Sequence, residues 1–184
     1  MSLTKWSLDP AHSEVTFKVK HLMISTVTGH FNKFSLVGET ENDDFNSAKK
    51  IEFAAEIDSI DTNNEQRDAH LKSADFFNIE KNPQIHFRGK KYEVDGDEGA
   101  LSGDLTIAGI TQPVKFDVEF GGTVVDPYGQ TKAGFTVSGK ISRKAFGITY
   151  GSTLETGGVL LGDEIKINAE IQLVKQVQEE ALVA

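Results

Sequence analysis

His21 and Arg143 are the two polar residues whose positions carry most chemical interest in this chain. Each continues an apolar alternation: His21 follows Val15, Phe17 and Val19, with Met23 two residues further on, and Arg143 follows Phe135, Val137 and Ile141. Ser59 stands in the same relation to Ile57. Side chains two residues apart on a strand share a face, so all three are expected to point inward with the apolar set. A few convergent polar groups in an apolar cavity fix a ligand's orientation. Equally, they could sit at strand ends and be paired there, because an unpaired buried charge is costly. Arg67, Asp68 and His70 form a second polar group (QRDAHLKS, residues 66–73), either capping a cavity or lying on a solvated helix face.

Other chemistries find little support. There is no cysteine, so thiolate zinc sites, disulfides and cysteine nucleophiles are excluded. No HExxH spacing occurs, and a metal site would have to be assembled from scattered residues such as His12, His21 and Asp68. Ser152 lies in Tyr150-Gly151-Ser152-Thr153, which lacks the G-x-S-x-G form of a nucleophile elbow. His30 and His86 fall at outward parity. A lipid-modifying enzyme would have to use His21 or His70 as base, with no oriented nucleophile set in view. No cofactor is expected.

The elements that must position these residues are strands. Alternation recurs over residues 14–23, 26–36, 50–60, 84–92, 99–108, 113–124, 131–142 and 163–174. The last reads Ile165, Ile167, Ala169, Ile171, Leu173 against Lys166, Asn168, Glu170, Gln172. Turn residues lie between, at Asp95-Gly96-Asp97, Ala108-Gly109 and Asp126-Pro127-Tyr128-Gly129. Short spacing favours antiparallel neighbours. One stretch differs: Thr62-Asn63-Asn64-Glu65 reads as a capping box with Thr62 as N-cap, predicting a short helix over residues 66–73. The expectation is an all-β fold, an eight-stranded antiparallel barrel with a short helix between its third and fourth strands. Residues 1–175 form one domain and residues 176–184 a frayed tail.

Eight strands enclose just enough room for packed side chains or one small ligand. Twelve phenylalanines, most at inward parity, supply apolar surface without a polar handle. Gly103 and Gly139 fall at the same parity and are expected to leave space. Alternating large and small residues also fills the taper of an ordinary barrel core, so a ligand cavity and a filled core both fit. The net charge of −9 and pI of about 5.0 argue against nucleic acid and against electrostatic docking on an anionic membrane. No apolar run approaches the roughly 20 residues that span a bilayer. The N-terminus shows no signal-peptide core, so the protein is expected to be cytoplasmic, or periplasmic if a leader has been removed.

A resemblance sharpens this reading. Leu8-Asp9-Pro10-Ala11-His12-Ser13, His21-Leu22-Met23 and Val27-Thr28-Gly29-His30-Phe31 resemble the opening of the YceI-like family of polyisoprenoid-binding proteins. The likeness continues through Arg67-Asp68-Ala69-His70-Leu71, Ser73-Ala74-Asp75-Phe76-Phe77 and Pro83-Gln84-Ile85-His86-Phe87. It resumes from Gly103 to Thr111, at Ile141-Ser142-Arg143-Lys144-Ala145-Phe146-Gly147-Ile148 and at Gly162-Asp163-Glu164-Ile165. The resemblance implies a lipocalin-like barrel whose tunnel holds an elongated apolar ligand: a polyisoprenoid, an isoprenoid quinone or a related lipid. The residues expected to touch it are Phe17, Val19, His21, Met23, Phe31, Phe53, Ile57, Phe76, Phe77, Phe87, Leu105, Phe116, Phe135, Val137, Arg143 and Phe146. The partner implied is thus a long-chain lipid, and a homodimer is compatible with barrels of this kind. The competing functional readings are the histidine-based lipid-modifying enzyme and a stress-related barrel with a filled core.

Overall fold

The computed structural model describes residues 3–152, 154 and 156–176. Among the described residues, eleven strands form one antiparallel sheet: β1 (Leu3–Leu8), β2 (Glu14–His21), β3 (Ser25–Phe31), β4 (Phe34–Glu41), β5 (Lys50–Glu56), β6 (Ile60–Asp61), β7 (Gln84–Asp95), β8 (Glu98–Ile107), β9 (Ile110–Val125), β10 (Thr131–Ser142) and β11 (Glu164–Lys175). They occupy eight positions around a closed barrel. β1 and β2 both lie along β11, as one line broken by a single turn of 3-10 helix at Pro10–His12. β3 and β4 form a second broken line, paired with β2 and β1 respectively. From there the chain meanders through β5, β7, β8, β9, β10 and β11, and the β1–β11 pairing closes the ring.

The register explains why the alternation is so regular. Ala133, Phe135, Val137, Gly139 and Ile141 of β10 lie opposite Leu173, Ile171, Ala169, Ile167 and Ile165 of β11. Every inward residue meets another across the ladder. A slip of one residue would expose the whole set, so burial holds the register.

Local chemistry breaks the strands where the barrel bends. Pro10 has no N–H to give a ladder, and Asp9 caps the turn by accepting from the Ala11 N–H at 3.1 Å. The stretch read as residues 26–36 is two strands, and that read as residues 50–60 leaves the sheet at Glu56 for a 3-10 turn over Ile57–Ser59. The Ser59 hydroxyl donates to the Glu56 and Lys33 carbonyls, so it belongs to this turn. β1 is an addition to the expected strands. Its buried set is Thr4 and Trp6, and the inward threonine hides the apolar alternation.

The helix α1 spans Glu65–Lys72, between β6 and β7. Its cap is Asn64, whose side chain accepts from the Arg67 N–H at 2.9 Å; the expected Thr62 is otherwise engaged. Its hydroxyl donates to Asp68 Oδ1 (2.5 Å) and accepts from Arg67 Nε (2.7 Å). Of the expected C-terminal tail, only Gln176 lies within the described residues, and its N–H donates to the Lys5 carbonyl.

Candidate ligand-binding site

The two halves of the barrel differ. At the end where β1 meets β11, Trp6 is 1% exposed and donates Nε1–H to Thr40 Oγ1 at 3.0 Å. Phe45, carried on a 3-10 turn, packs on Trp6, Phe135 and Phe120 with ring centroids 4.6, 4.9 and 5.6 Å away. These four aromatic rings plug that end.

The other half is hollow. A cavity of about 830 Å³ opens toward the β2–β3 hairpin, α1 and the segment after β10, within the roughly 300–1,000 Å³ typical of small-molecule sites. Its walls are apolar, with Phe17, Phe31, Phe53, Phe77, Phe87, Leu105, Phe116 and Val137 among them. The polar residues include Thr16, Thr26 and Thr28 of β2 and β3, together with His21, Ser25, Thr62, Arg67, His70 and Arg143.

The cavity survives the many phenylalanines because glycines seat their rings. A Cβ on Gly29 would lie 2.3 Å from Phe17 Cζ, and one on Gly139 would lie 2.5 Å from Phe116 Cδ1. At Gly103 it would meet Phe87 Cζ at 2.8 Å and the Arg88 carbonyl at 2.2 Å. Gly103 and Gly139 therefore leave no gap of their own, contrary to expectation. They let large rings lie against the wall, and the lumen beyond stays open.

Thirteen of the sixteen expected contact residues line this cavity, and three do not. Met23 sits on the β2–β3 turn with φ 59°, 61% exposed, because β2 ends at His21 and the alternation stops there. Ile57 is buried in the 3-10 turn after β5, off the cavity wall. Phe135 belongs to the aromatic plug at the filled end.

Arg143 is 5% exposed, and four of its five N–H groups donate to backbone carbonyls. Nε donates to the Gly162 carbonyl, Nη1 to those of Ile148 and Tyr150, and Nη2 to that of Leu161. Burial draws its pKa below the ordinary arginine value, opposed by the nearby Asp163. It ties Ile148, Tyr150, Leu161 and Gly162 together beside the cavity. Asp163 anchors the same segment: burial alone would raise its pKa, but hydrogen bonds from the Ser142 hydroxyl and the Lys144 N–H hold it lowered.

Arg67 and His70 form the polar side of the mouth. Arg67 spends Nε and one Nη2 hydrogen on Thr62, leaving guanidinium donors beside the lumen. His70 pairs through Nε2 with Asp75 at 2.8 Å and stacks edgewise on Phe76 (5.0 Å) and Tyr150 (4.8 Å). The ring trio bridges the helix side to the segment folded by Arg143. Tyr150, Leu160 and Leu161 also line the cavity and were not expected, since that segment has no strand periodicity. His12, His21 and Asp68 do not converge. Among the described residues no group of three His, Asp or Glu side chains is placed to hold a metal.

Comparison with known proteins places this architecture. A family model described as the YceI-like domain matches residues 6–173. The chain belongs to the YceI-like family. A UPF0312 protein of Staphylococcus epidermidis is 43% identical over 171 residues, covering 92% of this chain and 97% of its own. One from Staphylococcus aureus is 41% identical over the same lengths. Among solved structures, the YceI protein of Campylobacter jejuni superposes with a TM-score of 0.74 at 37% identity, over 93% of this chain and 97% of that one. A polyisoprenoid-binding domain from Saccharophagus degradans shares the fold, with a TM-score of 0.67 at 12% identity over 93% and 98% of the two chains. The barrel with its inserted helix is thus the fold of this YceI-like family.

Proposed function

We propose that this protein binds and carries an elongated apolar molecule, a polyisoprenoid chain, an isoprenoid quinone or a related lipid, in the hollow half of its barrel. The observation that carries this reading is the apolar cavity of about 830 Å³ with its far end plugged by Trp6, Phe45, Phe120 and Phe135. A dead-end apolar tube accepts a chain end-on and leaves its polar head at the mouth. The polyisoprenoid-binding function of the Saccharophagus degradans domain agrees with this cargo class.

Each buried CH₂ contributes roughly 0.8 kcal/mol, so one isoprene unit is worth about 3–4 kcal/mol. A few units reach micromolar affinity after the cost of association. Apolar walls discriminate weakly between chain lengths. Selectivity therefore falls to the mouth, where Arg67 offers donors to a carbonyl, hydroxyl or anionic head. His70 and His21 flank it. The apolar walls of the cavity favour a carrier over a lipid-modifying enzyme.

Native mass spectrometry of the purified protein, followed by organic extraction, tests the proposal. A discrete adduct that resolves into one lipid class supports it and names the cargo. No adduct, with no uptake of added polyprenol, overturns it.

A further inference from the structure

The β2–β3 turn presents Leu22, Met23 and Ile24 to solvent, 39%, 61% and 84% exposed. Leu22 and Met23 both hold left-handed backbone, φ 53° and 59°, where a large apolar side chain is disfavoured. A solvent turn would ordinarily be built from glycine or asparagine. The tip is tied to the cavity mouth: the Leu22 N–H donates to the Leu160 carbonyl at 2.8 Å, and His21 bridges to Leu161. Leu160, Leu161, His21 and Ser25 all line the cavity.

A second observation lies just behind the tip. Lys18 stands directly opposite Lys166, and Lys166 directly opposite Lys140, so three lysines cross β2, β11 and β10 in one row on the outer face. Like charges directly opposite are destabilising. Among the described residues, only Lys140 of the three has a carboxylate partner, Glu164 at 3.2 Å. Lys20 lies two residues nearer the tip, about 7 Å along the strand. On the same ribbon the acidic pair, Glu14 opposite Glu170, falls on the side away from the mouth. A chain of net charge −9 thus gathers cations beside its exposed apolar turn.

We propose that this face docks on an anionic lipid bilayer, with Leu22, Met23 and Ile24 in the acyl boundary and Lys18, Lys20 and Lys166 at the headgroups, so that the mouth exchanges its cargo directly with the membrane. An apolar edge with a basic belt is the pattern of interfacial binding. The net negative charge does not oppose it, because screening leaves only charges within about a Debye length to act on the surface. This rests on the lipid-cargo reading for its purpose, but not for its measurement.

The absence of cysteine permits single-site labelling. Ile24→Cys carrying an environment-sensitive NBD probe is titrated with phosphatidylcholine vesicles, with and without phosphatidylglycerol. Tyr128→Cys, exposed on the β9–β10 turn at the plugged end, is the control. The expected result is a blue-shifted, brighter probe at residue 24 but not at 128. Binding should be at least about tenfold tighter to anionic vesicles. It should weaken by a similar factor in a Lys18→Gln, Lys20→Gln, Lys166→Gln variant. A silent residue-24 probe, an equal response at 128, or a change that follows protein concentration without vesicles overturns the proposal; the last would mark a contact between copies of the chain. Polyprenol uptake from ethanol, without vesicles, checks the cargo reading separately. Met23→Asp should retain that uptake while losing vesicle binding.

Discussion

Gly139 lies directly beneath the ring of Phe116, with room for no side-chain atom between them. The pair shows how a barrel rich in phenylalanine keeps an open lumen. The ring is set against the wall of the neighbouring strand and borders the cavity. Gly29 and Phe17 repeat the arrangement.

Gly139→Ala should therefore push the Phe116 ring into the lumen. Overpacking of this kind costs about 1–3 kcal/mol, but the ring has empty space to enter, so the lower end of the range is expected. Lipid capacity should fall while the fold persists. Gly103→Ala is different, because its Cβ would meet the fixed Arg88 carbonyl as well as Phe87. It should destabilise more than Gly139→Ala in thermal melts; equal effects would contradict the seating argument.

Phe116→Asp should abolish lipid uptake by placing a carboxylate on the cavity wall, where its desolvation is uncompensated. The same substitution at Phe135 should act on folding instead, because Phe135 packs in the plug with Phe45 and Phe120. Circular dichroism and uptake measured side by side separate the two outcomes.

Trp6 reports on the filled end. Trp6→Phe keeps an aromatic ring but leaves Thr40 without its indole donor, a loss of about 1–3 kcal/mol. As Trp6 is the chain's single tryptophan and is buried beyond the cavity, its emission should be blue-shifted and should barely change on lipid uptake. A large change would mean that the ligand reaches the plug.

Acid sensitivity should arise where Lys132 joins Asp9 (2.9 Å) and Asp126 (3.5 Å). The hydrogen bond from Lys132 is the main reason that the Asp9 carboxyl lies below its ordinary value. A carboxyl lowered in the folded state binds its proton less readily there than in the unfolded chain. Its stabilisation is complete above the unfolded value of about 3.9 and is lost as pH falls through the folded one. The melting temperature should hold from pH 7 to about 5 and drop below about 4. Asp9→Asn should lower the plateau and flatten the drop.

Arg143 predicts a different failure. Arg143→Met would leave the Gly162, Ile148, Tyr150 and Leu161 carbonyls without their donor. A fully buried carbonyl left unpaired, as at Ile148, costs about 1–3 kcal/mol, and the part-buried ones less. Hydrogen exchange should rise first at residues 148–152 and 160–162, and uptake should weaken with it.

What the sequence determined by itself is the barrel. Strict period two along Val15 to Val19, Val114 to Phe120 and Ile165 to Leu173 has one economical solution, a closed antiparallel sheet with those faces inside, and short turns leave little choice of topology. The helix was legible from its capping chemistry, though its cap was misplaced by two residues because Thr62 is held by Asp68 and Arg67 from the following turn. Most of the cavity wall was legible too, since parity alone separates Phe53 and Phe87 from their outward neighbours. Parity could not say how far along the barrel an inward residue lies. Only the closed ring, with its two broken strand lines, placed Phe135 in the plug and Phe116 at the cavity. Only packing showed that Gly103 and Gly139 seat rings. The role of Arg143 and the mouth residues Tyr150, Leu160 and Leu161 depend on side-chain-to-carbonyl bonds in a stretch with no periodicity to reveal them.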